Sequence, residues 1–184
     1  MSDPVAYFLT WHTYGTWLPG HGQGSVDEEH RQFGTPLVAP DPEWVARNAA
    51  GLVNASVSLD KPWRATVQAA IVEVCAYRGW TLLALHVRTT HVHAVVVAAP
   101  VAPEKVLNDF KAYATRRLRR QKLAEEEVRV WAVHGSTRYV WNDKQLAGVV
   151  DYVVNRQGAL LEPVPIGARP PVANAPGSDL GSPL

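Results

Sequence analysis

Trp80-Thr-Leu-Leu-Ala-Leu-His-Val-Arg-Thr-Thr-His-Val-His-Ala-Val-Val-Val-Ala-Ala99 is the stretch on which the fold turns. Two β-rich runs, Trp80 to Thr90 and His91 to Ala99, flank Arg88-Thr89-Thr90. That arrangement predicts antiparallel neighbours in one sheet, joined near Thr89. Side chains two apart on a strand share a face, so His91 and His93 project together while Val92 points the other way. Two adjacent imidazoles suit a divalent ion. Solvent-facing histidines on a sheet edge would give the same pattern. Against that, Ala94-Val95-Val96-Val97 continues the strand as core, and imidazoles beside a core need a reason to be there.

Working back toward the N-terminus, Trp63, Val67, Ala70, Ile71, Val74 and Cys75 recur at helical spacing. Asp60-Lys61-Pro62 introduces this helix and Gly79 stops it. From Gly15 to Lys61 no period is sustained, which predicts a long loop with a short helix around Glu43 to Ala50. Ala6 to Tyr14 is rich in aromatic and β-branched residues and reads as a first strand.

Toward the C-terminus, a helix starts at Pro103-Glu104 with Leu107, Phe110, Ala114 and Leu118 inward and most of its cations outward. Val128 to Trp141 reads as a loop leading into a strand, punctuated by Gly135-Ser136. Asn142 or Asp143 caps a further helix whose inward stripe is Leu146, Val149, Val150, Val153 and Val154, stopped by Gly158. The order β, long loop, α, β, β, α, β, α predicts an α+β fold: a ferredoxin-like antiparallel sheet with helices packed on it. One domain is expected over residues 1–158, with its long loop at 15–61. The prolines of 159–184 predict a disordered tail.

Composition narrows the chemistry. The chain has 184 residues, 47% of them apolar, enough for one core. Its longest apolar run, Ala94 to Val101, is too short to span a bilayer, and Met-Ser-Asp-Pro is no signal peptide, so a cytoplasmic protein without membrane partners is expected. A lone cysteine, Cys75, excludes a Cys-cluster zinc site, and any metal must use His, carboxylate or amide ligands. The formal net charge is only +1, yet Lys111, Arg116, Arg117, Arg119, Arg120 and Lys122 crowd one segment. Such local clustering, more than total charge, draws nucleic-acid phosphate.

These motifs together resemble a known family. His-hydrophobe-His on a strand is followed by the helix Lys111-Ala-Tyr-Ala-Thr-Arg-Arg-Leu118, by Val130-Trp131 and Tyr139-Val140-Trp141, and by Asp151-Tyr152-Val153-Val154-Asn155. With Tyr7-Phe-Leu-Thr-Trp-His-Thr-Tyr-Gly-Thr-Trp-Leu-Pro19, this set resembles the single-tyrosine HUH transposases, and among them the REP-associated tyrosine transposases. The resemblance implies a ferredoxin-like fold, single-stranded or hairpin DNA as partner, and a Mg²⁺ or Mn²⁺ ion held by His91 and His93. It also implies a helix-borne tyrosine that cleaves and rejoins DNA through a 5′-phosphotyrosine intermediate.

Tyr152 matches the family position, at the edge of its helix's apolar stripe, and Tyr113 on the basic helix is the runner-up nucleophile. In the family an amide one turn beyond the tyrosine completes the metal site. Here that residue is Arg156, so Gln157, or else Asn155, is the expected third ligand, and Arg156 becomes a phosphate contact. Lys111, Arg116, Arg117, Arg119 and Arg120 are expected to bind DNA. His12, His86 and His134 stay open between site and surface. Trp11, Trp17, Trp131 and Trp141 could stack bases or anchor core and loops. A metal-dependent nuclease using water and a domesticated, non-catalytic hairpin-binding protein are the alternatives, as monomer or homodimer.

Overall fold

A computed structural model of the chain describes residues 3–18 and 41–158. The expected tail at 159–184 and positions 19–40 of the long loop lie outside the described residues. The elements run β1 (Ala6–His12), α1 (Pro42–Ala50), α2 (Lys61–Arg78), β2 (Thr81–Val87), β3 (His91–Val97), α3 (Pro103–Arg120), β4 (Ser136–Val140) and α4 (Asp143–Asn155). The four-stranded sheet has the order β2-β3-β1-β4, antiparallel at every junction. That order is the ferredoxin-like one, generated by two crossovers through α2 and α3.

Local chemistry sets the helix ends. Asp60 accepts from the Trp63 amide at 3.0 Å and Pro62 occupies the first turn of α2. Gly79 then closes α2 in the left-handed region, φ 70°, where a Cβ would be strained. Asn142 caps α4 by accepting from the Gln145 amide at 2.9 Å, and Gln145 Oε1 in turn accepts from the Trp141 amide. The short helix expected in the long loop is α1, with none of its residues buried. The end of that loop is not free: Val57 and Leu59 are buried, and their amides donate to Tyr14 and Thr89 carbonyls.

The main core lies between α2, α3 and one face of the sheet, where Leu9, Trp11, Val92 and Val96 meet Val67, Ile71, Val74, Phe110 and Leu118. The helices do not all share that face. α4 crosses the other side, and its expected inward stripe is only thinly covered: Val153 is buried, while Leu146, Val149, Val150 and Val154 pack half-exposed around Phe8, Leu83 and Val95.

A bulge in β2 decides what that second face contains. Leu82 pairs with Val96 but Ala84 with Val95, leaving Leu83 as the extra residue. Beyond it the alternation of β2 is shifted by one, and His86 comes opposite His93 instead of pointing into the main core.

Candidate functional site

Register gathers imidazoles on the α4 face. His91 pairs with His12, and His93 is flanked by Thr10 on β1 and His86 on β2. Directly opposed residues of antiparallel strands share a face, so these side chains form two adjacent rows. The His91 and His93 rings lie 4.9 Å apart between centroids, and His12 stands 5.6 Å from His91.

Threonine hydroxyls hold one nitrogen of each key ring. Thr10 Oγ1 is 2.8 Å from His93 Nδ1, and Thr90 Oγ1 is 3.2 Å from His91 Nδ1. Such partners fix ring orientation and leave Nε2 for another ligand. The side chain of Gln157, just past the end of α4, hydrogen-bonds both imidazoles. Burial drives the His93 pKa down to about 3, helped by repulsion from His91, His12 and His86 and opposed by Gln157. His91 is lowered too, by burial first and then by Arg88. Both rings are therefore neutral near pH 7, the form that lends a lone pair to a metal.

Two neutral imidazoles and an amide fit a divalent cation of borderline hardness and leave positions open for phosphate oxygens. Among the described residues no group of three or more His, Cys, Asp or Glu could hold a metal. Of the side chains at the end of α4, that of Gln157 is beside the two imidazoles. Asn155 and Arg156 are not: both turn outward to Asp151, Asn155 Nδ2 at 2.8 Å and Arg156 Nε at 2.7 Å. These two bonds, Asn155 first, lower the Asp151 pKa.

Tyr152, 41% exposed, stands edge-on to His93 with centroids 5.6 Å apart and edge-on to Phe8 at 5.9 Å. Tyr113 is on α3, across the sheet, with the Arg116 guanidinium 4.4 Å over its ring. The sheet separates it from the histidines.

His86 has a different task. It is buried, and its Nδ1 donates to the Val153 carbonyl at 3.1 Å. That carbonyl lies in the last turn of α4, where helical donors run out. The bond pins the helix one residue beyond Tyr152. His12 stacks on Trp17 at 4.6 Å at the margin of the site, and His134 contributes a backbone carbonyl to Lys111.

The basic helix lies on the opposite face of the sheet. Lys111 is not the outward residue expected: it is buried, and its ammonium donates to the carbonyls of Ala132 and His134 at 2.9 Å and of Val133 at 3.4 Å. Burial lowers its pKa to about 8. Arg117 pairs with Glu73 of α2, and Arg119 with Glu126. Arg116 and Arg120 are exposed. Trp11 and Trp131 meet edge to face in the main core, while Trp141 is half exposed and stacks on Tyr139.

Sequence reading missed Thr10, Thr90 and Phe8 as neighbours of the histidines. Strand alternation puts Thr10 and Phe8 on the face of His12, but only the β1–β3 register sets them beside His93.

The model of the IS200-like transposase family matches residues 54–155, more than half of the chain. The chain belongs to the IS200-like transposases. The stretch that marks it as an IS200-like transposase contains His91, His93 and Tyr152 but ends before Gln157. Similar solved structures include a REP-associated tyrosine transposase bound to a REP hairpin, at 13% identity and TM-score 0.48, covering 83% of this chain. The chain spans 66% of that protein's length. A candidate transposase from Deinococcus radiodurans R1 is similar at 15% identity and TM-score 0.43, over 85% of this chain and 93% of that one. Among curated proteins none matches. Among the described residues, no helix of this transposase is long and apolar enough to cross a membrane.

Proposed function

We propose that this protein is a metal-dependent single-stranded DNA strand transferase of the REP-associated, HUH type, with Tyr152 as nucleophile and His91, His93 and Gln157 holding Mg²⁺ or Mn²⁺. The observation that carries the reading is the convergence at the end of α4, where Tyr152 lies edge-on to His93 and Gln157 bonds both imidazoles. In the reaction the Tyr152 phenolic oxygen bonds to a DNA phosphorus and the P–O3′ bond breaks. The phenol proton passes to solvent, and the departing 3′ oxygen takes one up. A 5′-phosphotyrosine and a free 3′-hydroxyl remain, and attack by another 3′-hydroxyl reverses the step and joins strands without ATP. A bound divalent ion would polarise the phosphate and offset the charge that builds on its oxygens.

The chain's own residues supply position. Thr10 and Thr90 orient the imidazoles, Phe8 backs the Tyr152 ring, and the His86 bond to Val153 fixes the helix that delivers it. Exposed Arg116 and Arg120, on the far face, would contact phosphates of a DNA hairpin away from the cleavage point.

The test is a denaturing gel of labelled, hairpin-bearing single-stranded DNA with Mn²⁺ or Mg²⁺. A covalent protein–DNA adduct is expected from wild type and from Tyr113→Phe. It should be absent in Tyr152→Phe, His91→Ala and His93→Ala. Cleavage without adduct would favour the nuclease that uses water, and binding without cleavage a domesticated hairpin-binding protein.

A further inference from the structure

Most arginines among the described residues already have a partner. Arg117 is paired with Glu73, Arg119 with Glu126, Arg156 with Asp151 and Arg78 with Asp109, while Arg64 donates to the Leu59 carbonyl. Arg138 differs. It sits on the edge strand β4 and is exposed, and its side chain makes no ion pair or hydrogen bond with the described residues. Its neighbour is a ring: the guanidinium carbon lies 5.9 Å over the centroid of Phe8.

Register places this cation. Arg138 is directly opposite Phe8, as Ser136 is opposite Thr10, so it projects from the α4 face, the face of His93 and not that of the basic helix. Phe8 is the common neighbour. Its ring is 5.8 Å from His93 and 5.9 Å from Tyr152 on the inner side, with Arg138 over it on the strand-edge side. A planar, permanently charged group held by an aromatic face beside a tyrosine suits an anion that lies along the sheet.

We propose that Arg138 binds a backbone phosphate of the nucleic-acid strand next to the one presented to Tyr152, so that the strand leaves the site over the β4 edge. This rests on the reading of the site as a DNA-cleaving one. The Phe8 ring fixes the guanidinium without neutralising it, and the missing acidic partner leaves its donors for phosphate oxygens. Protein carboxylates hold Arg117 and Arg119, which would have to break those pairs to do the same.

The experiment is equilibrium binding of a fluorescently labelled single-stranded oligonucleotide of mixed sequence to the full chain, with chelator present, over a series of salt concentrations. Wild type is compared with Arg138→Gln, which keeps a stem over Phe8 but removes the charge, and with Arg138→Lys, which restores the charge without the fork. Arg138→Gln should bind about tenfold more weakly at low salt, the scale of one charged hydrogen bond. Its slope of log affinity against log salt should fall by about 0.7, the value of one phosphate contact on a single strand. Arg138→Lys should recover the slope and only part of the affinity. Thermal midpoints equal to wild type exclude a folding defect. Unchanged affinity and slope in a folded Arg138→Gln would overturn the proposal. Because chelator removes metal and no adduct is read, a failure of the strand-transfer chemistry leaves this result standing, and the adduct gel reports that failure separately.

Discussion

On one face of the sheet α2 and α3 seal Val67, Ile71, Val74, Phe110 and Leu118 completely from solvent, whereas on the other α4 fully buries Val153 alone. The first face is dry, thick and capped at both ends of α2. The second is thin, and the groups that interrupt it are imidazoles, a threonine hydroxyl and an amide. The difference divides labour within a single small sheet. Apolar burial of the first kind supplies most of the stability, and a side that need not carry the fold can keep a polar, partly wet cleft. It also means that α4, which carries Tyr152 and leads into Gln157, is held by few contacts, one of them the His86 bond to its last turn.

The sharpest way to break the comparison is to damage each face in turn. Phe110→Ala, in the thick core, should cost about 3–5 kcal/mol in denaturant unfolding. Val153→Ala, the only fully buried residue of α4, should cost roughly 1.5 kcal/mol, the worth of two methylene groups. If the two costs are equal, the faces are not unequal partners. Covalent adduct formation should show the opposite sensitivity among molecules that remain folded: Val153→Ala should slow it although its stability loss is small.

Lys111 tests the thick face from its polar side. Lys111→Met leaves the carbonyls of Ala132, Val133 and His134 without their donor and should cost on the order of 2 kcal/mol near pH 7. The pH dependence has a defined sign. Burial holds the folded pKa near 8, as against about 10.4 in an unfolded chain. Between those values the unfolded chain carries a proton that the folded one has shed. Wild-type stability, taken relative to Lys111→Met, should therefore rise with pH through that window and stay flat below about 8. A difference that falls over the window would show the ammonium is favoured where it lies.

His86→Leu sharpens the account of the thin face. It keeps the volume but strands the Val153 carbonyl, at a cost of roughly 1–2 kcal/mol. Amide hydrogen exchange should speed up in the last turn of α4 and not in α2 or α3. Uniform acceleration would mean that His86 supports the whole fold. The smallest effect expected is that of Arg116→Gln with Arg120→Gln on the far face. Adduct formed on a strand too short to fold back should be unchanged, while a hairpin substrate should lose a little affinity and salt dependence. Equal loss on both substrates would place cleaved DNA against the basic helix.

How much of this could be read before folding depends on the range of the interaction that decides it. The order of elements, the ends of α2 at Asp60 and Gly79, the cap of α4 at Asn142 and the shared face of His91 and His93 were all legible in the chain, because caps, turns and strand alternation are set by residues a few positions apart. The β2 bulge was not legible: Leu82-Leu-Ala-Leu85 is apolar on both phases, so nothing local says where the alternation slips or that His86 will meet His93. Arg138 gave no signal, since its meaning comes from β4 lying against β1 at Phe8. Lys111 gave a misleading one, as a cation in a basic run whose carbonyl partners lie more than twenty positions away. The sequence by itself determined which segments are helix and strand and that two imidazoles stand side by side. Which face α4 covers, which tyrosine reaches those imidazoles and which cations stay free were decided only by tertiary packing, because each depends on pairing between distant segments, and the energy of that pairing is spread over a whole interface.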